Sequence, residues 1–91
     1  MLELIDKLLA SLPEIQGVDA EEIENVKDDL EMVQEQLKTD NPKKNRIGKA
    51  LVGIKKFVGD FSMKLAVTLA AGAVTGADWG MLLQQLENFI R

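Results

Sequence analysis

Apolar residues in this chain recur with a helical period almost from its start. Leu2, Ile5, Leu9 and Leu12 form a short stripe that Pro13 ends, and residues 13–18 read as a loop with Gly17 near its close. Ile23, Val26, Leu30, Val33 and Leu37 follow at alternating spacings of three and four, a strict heptad seam. Asp19 stands at the N-cap position of that segment with Glu22 three residues on, the spacing of a capping box. Thr39-Asp40-Asn41-Pro42 breaks the pattern, because Asp and Asn favour turns and Pro42 disfavours a helical conformation at Asn41. Asp40 or Asn41 is expected to cap the next helix, with Pro42 in its first turn.

A second seam runs through Ile47, Leu51, Ile54, Val58, Phe61 and Leu65. Leu37 with Ile47, Val33 with Leu51, Leu30 with Ile54, Val26 with Val58 and Ile23 with Phe61 are all symmetric about Pro42. Two seams in antiparallel register about a turn predict a helical hairpin. Beyond Leu65 the segment to Ala77 carries no charge, and continuing the second helix to about Val74 gives a rod of roughly 45 Å that overhangs its partner. Asp78 reads as another N-cap, followed by an amphipathic helix through Trp79, Leu82, Leu83, Leu86, Phe89 and Ile90. The expectation is an all-α fold, one domain over 1–91. Its helical hairpin (about 19–39 and 43–74) is completed by short terminal helices into a three- or four-helix bundle.

Composition agrees with helices. The apolar content is aliphatic, with three Phe, one Trp and no Tyr, whereas sheets lean on aromatic and β-branched residues. A core built from 91 residues is thin, so association would help it. Cys and His are absent, which removes disulfides, thiolate nucleophiles, most zinc and iron sites and the commonest general base. Ser11, Ser62, Thr39, Thr68 and Thr75 lie near no activating motif, and the pairs Glu24/Asp28 and Glu31/Glu35 lack EF-hand context. No catalytic residue, metal or cofactor is expected. The N-terminus lacks the basic region and cleavage site of a secretory signal, which points to the cytoplasm.

Charge is divided along the chain. Asp19 to Glu35 holds eight acids and one base, and Lys43 to Lys64 holds seven bases and one acid. Laid side by side the two segments relieve each other's repulsion. That arrangement, the net charge of −4 and the lack of Tyr favour a solvated charged face over a nucleic-acid surface.

Gly72 and Gly76 form a GxxxG pair, and Ser62, Ala66 and Ala70 place small residues at every fourth position, a spacing that lets helices approach closely. The overhanging half of the second hairpin helix and the last helix therefore make the expected contact surface, at Phe57, Leu65, Leu69, Gly72, Gly76, Trp79, Leu83 and Phe89. A homo-oligomer follows, because two short terminal helices cannot cover both the flanks and the overhang. The alternative is a membrane-active effector that inserts residues 65–83 into a bilayer, although thirteen uncharged residues are too few to span about 30 Å of hydrocarbon.

Around the turn, Leu37, then Asn41-Pro42-Lys43-Lys44, Ile47, Ala50-Leu51 and Ile54 ahead of a small-residue apolar stretch resemble a helical domain of bacterial abortive-infection (AbiTii-like) proteins. The resemblance covers residues 23–75, and this chain departs from that pattern by having little ahead of the hairpin except the first short helix. It implies no catalytic residues. It implies a bacterial or phage context and an accessory, phage-defence role for a helical interaction or oligomerisation module.

Overall fold

The computed structural model describes Met1–Arg91 as four helices and one small hairpin. Helix α1 (Leu2–Ser11) buries Ile5 and Leu8 and passes into a single 3-10 turn, Leu12–Glu14, that accommodates Pro13 in its first turn. The Ser11 hydroxyl, fully buried, donates to the Leu8 carbonyl at 2.6 Å, so it does not compete with the helix for a partner elsewhere. Gly17 follows at φ 79°, a left-handed conformation that suits glycine, and its carbonyl accepts from Lys64 Nζ at 2.7 Å.

Helices α2 (Ala20–Leu37) and α3 (Lys44–Phe61) form the antiparallel pair that their seams predict. Val26, Leu30 and Val33 of α2 and Ile47, Leu51 and Ile54 of α3 are buried in one core. The Asp29 side chain lies over Gly53, so the neighbours of Leu30 and Ile54 meet across the pair. The turn is closed differently from the expectation. Neither Asp40 nor Asn41 caps α3 and Pro42 lies ahead of its first turn; Lys43 holds the N-cap position in extended conformation. Its N–H is taken by Oε1 of the buried Gln36, at 3.0 Å, from the last turn of α2. Asp19 holds the N-cap position of α2 as expected, but its side chain accepts no cap hydrogen bond and the capping box with Glu22 does not form. Its carboxylate stays exposed beside Glu21 and Glu22, where the helix dipole still favours negative charge.

The main departure lies after Phe61. The expected continuous helix over 43–74 ends there, passes through a 3-10 turn at Ser62–Lys64, and gives way to two antiparallel strands, β1 (Val67–Leu69) and β2 (Gly72–Val74). The fold is thus predominantly helical but not all-α. The reason is local: Leu65, Val67 and Leu69 alternate with Ala66 and Thr68, a period of two that puts the large residues on one face. Leu65 is buried and Val67 and Leu69 are half-buried, whereas Ala66 and Thr68 are exposed. Gly72, at φ 132°, supplies the backbone conformation that turns the chain back and that a helix could not continue through.

Helix α4 (Gly76–Ile90) packs on α3 and α1. Its N-cap is Thr75, not Asp78. Thr75 Oγ1 accepts from the Ala77 N–H at 3.2 Å, and Asp78 Oδ2 reaches back to the Thr75 N–H at 2.9 Å, a capping box. Asp78 also faces Lys7 of α1 at 3.8 Å. Seventeen buried apolar residues from all four helices, the strands and their connections form one core.

Candidate interaction surface

The eight residues expected at a contact surface divide into two groups. Phe57, Leu65 and Trp79 are interior. Trp79 meets Phe57 in a tilted arrangement at 5.5 Å between ring centroids, and Phe61 completes the aromatic cluster at 5.2 Å from Phe57. The indole Nε1 of Trp79 is buried without a hydrogen-bond partner. Leu69, Leu83 and Phe89 are half-buried, and Gly72 and Gly76 are exposed. Because the chain turns at Gly72, Leu69 and Gly72 sit opposite each other at the tip of the hairpin, and Gly76 opens α4. Gly72 and Gly76 therefore do not share a helix face, and the GxxxG reading does not apply to them.

The uncharged stretch has become an exposed hairpin. Val74 is buried and Val67 and Leu69 half-buried against the core, while Ala66, Thr68, Ala70, Ala71, Gly72 and Ala73 face solvent. A two-residue connection, Ala70–Ala71, closes on the Leu69–Gly72 pair. Ladder bonds then fall on Leu69–Gly72 and Val67–Val74, and the pair between them, Thr68–Ala73, turns its N–H and C=O groups outward along the two edges. No hydrogen bond outside the hairpin engages either residue. Along β1 runs a cleft of about 270 Å³ lined by Glu14, Gln16 and Lys64.

A second recess, of about 550 Å³, lies between the end of α1 and the start of α2. Leu9, Leu12, Pro13 and Ile23 provide its apolar wall and Glu24, Lys27 and Asp28 its charged rim. Asp6 of α1 accepts from Gln34 of α2 on the exposed side of the same helix pair. Sequence periodicity alone did not single out this recess, because it depends on how α1 crosses α2.

Charges on α2 and α3 face each other across shared clefts, Asp28 and Asp29 with Arg46 and Lys49, and Glu22 with Lys56. None closes into an ion pair. The two ion pairs present tie α4 to its neighbours, through Lys7–Asp78 and through Lys55–Glu87 at 2.8 Å. Lys55, by its hydrogen bond first and its charge second, holds the Glu87 carboxyl below its ordinary value. Asp29 is pushed the other way, by burial over Gly53 and then by the neighbouring charge of Asp28.

Of the hydroxyls, Ser11 and Thr39 donate to main-chain carbonyls one turn back and Thr75 caps α4. No three acidic side chains converge on a point where they could hold a metal ion. No helix is long and apolar enough to cross a membrane. Inserting residues 65–83 into a bilayer would first withdraw Leu65, Val74, Trp79 and Leu82 from the core, at about 1.5–3 kcal/mol for each large side chain. No protein-family model, curated protein or solved structure matches the chain.

Proposed function

We propose that this chain is a non-catalytic helical interaction module that associates with a second copy of itself, an accessory component of a bacterial or phage-defence system. The observation that carries the reading is the exposed hairpin. In a chain with 29% charged residues, it lies within a stretch of thirteen residues with no charge, and the outward N–H and C=O groups of Thr68 and Ala73 meet no partner outside the hairpin. Natural proteins usually blunt such edges with charge, proline or a covering element, and an edge left open is a template for another chain. Leu69 and Gly72 lie on that hairpin at or near the surface, while Phe57, Leu65 and Trp79 are packed in the core that supports it. The bacterial and phage-defence setting rests on the resemblance of residues 23–75. Sedimentation velocity on the purified chain tests the module reading. The weight-average mass is expected to rise above 10.1 kDa as concentration increases into the high micromolar range. A mass of 10.1 kDa throughout, up to millimolar concentration, overturns it.

A further inference from the structure

We infer that the outward face of α3 is a docking surface for a helix of another protein, one whose apolar seam is bordered by acidic side chains. The surface is separate from the hairpin, and the inference does not depend on self-association there.

At 3.6 residues per turn, Gly48, Val52 and Gly59 fall within about 40° of arc on the side of α3 turned away from the core. Met63 follows in the 3-10 turn that ends the helix. Val52 is 68% exposed and Met63 96%, the two most exposed large apolar side chains of the chain. Neither glycine serves the fold. A Cβ on Gly48 or Gly59 meets nothing, yet each glycine costs an exposed helix about 1 kcal/mol relative to alanine. What their absent side chains do allow is the close approach of a second helix.

Lysines border this strip on both sides. Lys55 lies towards α4, where it meets Glu87, and Lys44 stands on the same side of α3. Lys49 and Lys56 lie towards α2. Lys44, Lys49 and Lys56 have no ion-pair partner in the chain, although Asp28 and Glu22 face the last two across clefts. Asp60 is the one acid on α3, and it lies beyond Lys56 on the α2 side.

The chemistry of the occupant follows from that layout. The centre of the strip asks for apolar residues and its borders for carboxylates. An amphipathic helix supplies both in one stripe. A bilayer gains nothing from two missing side chains, and nucleic acid gains nothing from Val52 and Met63 and is opposed by a net charge of −4. The helices of a second copy do not fit either. The outward row of α2, Glu21, Glu24, Asp28, Glu31 and Glu35, contains no apolar residue. On α1 only Ala10 stands with the exposed Glu3 and Asp6, and both acids of α4 are already paired.

The probe is a synthetic helical peptide with a leucine seam and glutamate on either side of it, set against a second peptide with lysine in place of glutamate. Fluorescence anisotropy of each labelled peptide is followed against the full chain. The glutamate peptide is expected to bind and the lysine peptide not, with affinity falling as salt rises. Gly48→Gln combined with Gly59→Gln fills the strip with helix-favouring side chains, and is expected to weaken binding roughly tenfold while raising the thermal midpoint. A variant that merely misfolds cannot give that combination. Lys49→Gln combined with Lys56→Gln is expected to weaken binding several-fold and to flatten its salt dependence. Failure of the glutamate peptide to bind, equal binding of both peptides, or unchanged binding by the double glycine variant overturns the inference. Tighter binding to phosphatidylserine vesicles or duplex DNA than to the glutamate peptide overturns it too. So does loss of self-association in the double glycine variant, which would assign the face to a second copy.

Discussion

Gly53 sits in the middle of α3 where glycine costs about 1 kcal/mol relative to alanine, and the structure gives the reason it is there. A Cβ built on Gly53 would run into the carboxylate of Asp29, whereas one built on Gly48 or Gly59 of the same helix meets nothing. Gly48→Ala and Gly59→Ala are therefore expected to stabilise the chain by about 0.5–1 kcal/mol each, the lower figure where the helix end already frays. For a domain of this size that raises the thermal midpoint by roughly 4–8 °C per kcal/mol. Gly53→Ala has the same propensity gain to draw on, but the Asp29 carboxylate has to leave its rotamer, at about 0.5–1.5 kcal/mol. The expected net effect lies between about 0.5 kcal/mol stabilising and about 1 kcal/mol destabilising, below the gain at Gly48. Urea denaturation followed by circular dichroism at 222 nm resolves the difference. Truncating the obstacle supplies an internal control: in an Asp29→Ala background, Gly53→Ala should recover the gain seen at Gly48, a coupling that a double-mutant cycle reads directly. If Gly53→Ala stabilises the parent as much as Gly48→Ala does, the placement of the Asp29 carboxylate over Gly53 is wrong.

Leu30, fully buried on the α2 seam, should lose about 2–4 kcal/mol on truncation to Ala; an unchanged urea midpoint would refute the paired seams. Thr75→Ala removes the hydroxyl that caps α4 and should cost about 1 kcal/mol, with the loss visible as faster amide exchange in the first turn of α4. Asp29 gives a pH signature. Its folded-state pKa is raised above the unfolded 3.8, so its ionised form costs stability above the folded value, and the cost is relieved as pH falls through that value towards 3.8. Asp29→Asn should accordingly be more stable than the parent at neutral pH, and its advantage should disappear below about pH 3.8; an advantage that persists in acid would point to packing as its source.

What was legible in the sequence was whatever depended on repetition. The α2 and α3 seams repeat over five layers, and heptad spacing admits few arrangements of two such helices joined by so short a turn. The end of α3 was not legible from that pattern, because Leu65 continues the helical spacing from Phe61 while also beginning the alternation through Val67 and Leu69. Alanine fits either reading, and the β-branched Val67, Thr68, Val74 and Thr75 were the signal that could have decided it. The caps followed a similar logic. Asp19, Asp40 and Asp78 all have the right chemistry for an N-cap, but capping is decided by where the backbone enters the helix: Asp19 holds that position for α2, whereas Lys43 and Thr75 hold it for α3 and α4. The recess between α1 and α2 depends on the crossing of two helices whose stripes say which face is buried but not the angle between them.

The buried indole of Trp79 has an optical consequence. The chain contains one Trp and no Tyr, so nearly all of its near-ultraviolet emission comes from a single ring. That ring is sealed in the core against Phe57, and its N–H has no polar partner to relax around the excited state. Emission should therefore fall at the short-wavelength end of the tryptophan range and shift to the red only when α4 parts from α3. Association that leaves the core packed would leave the colour unchanged. A membrane-inserting rearrangement would have to move the ring, so a single spectrum with and without vesicles separates docking of the intact fold from its dismantling.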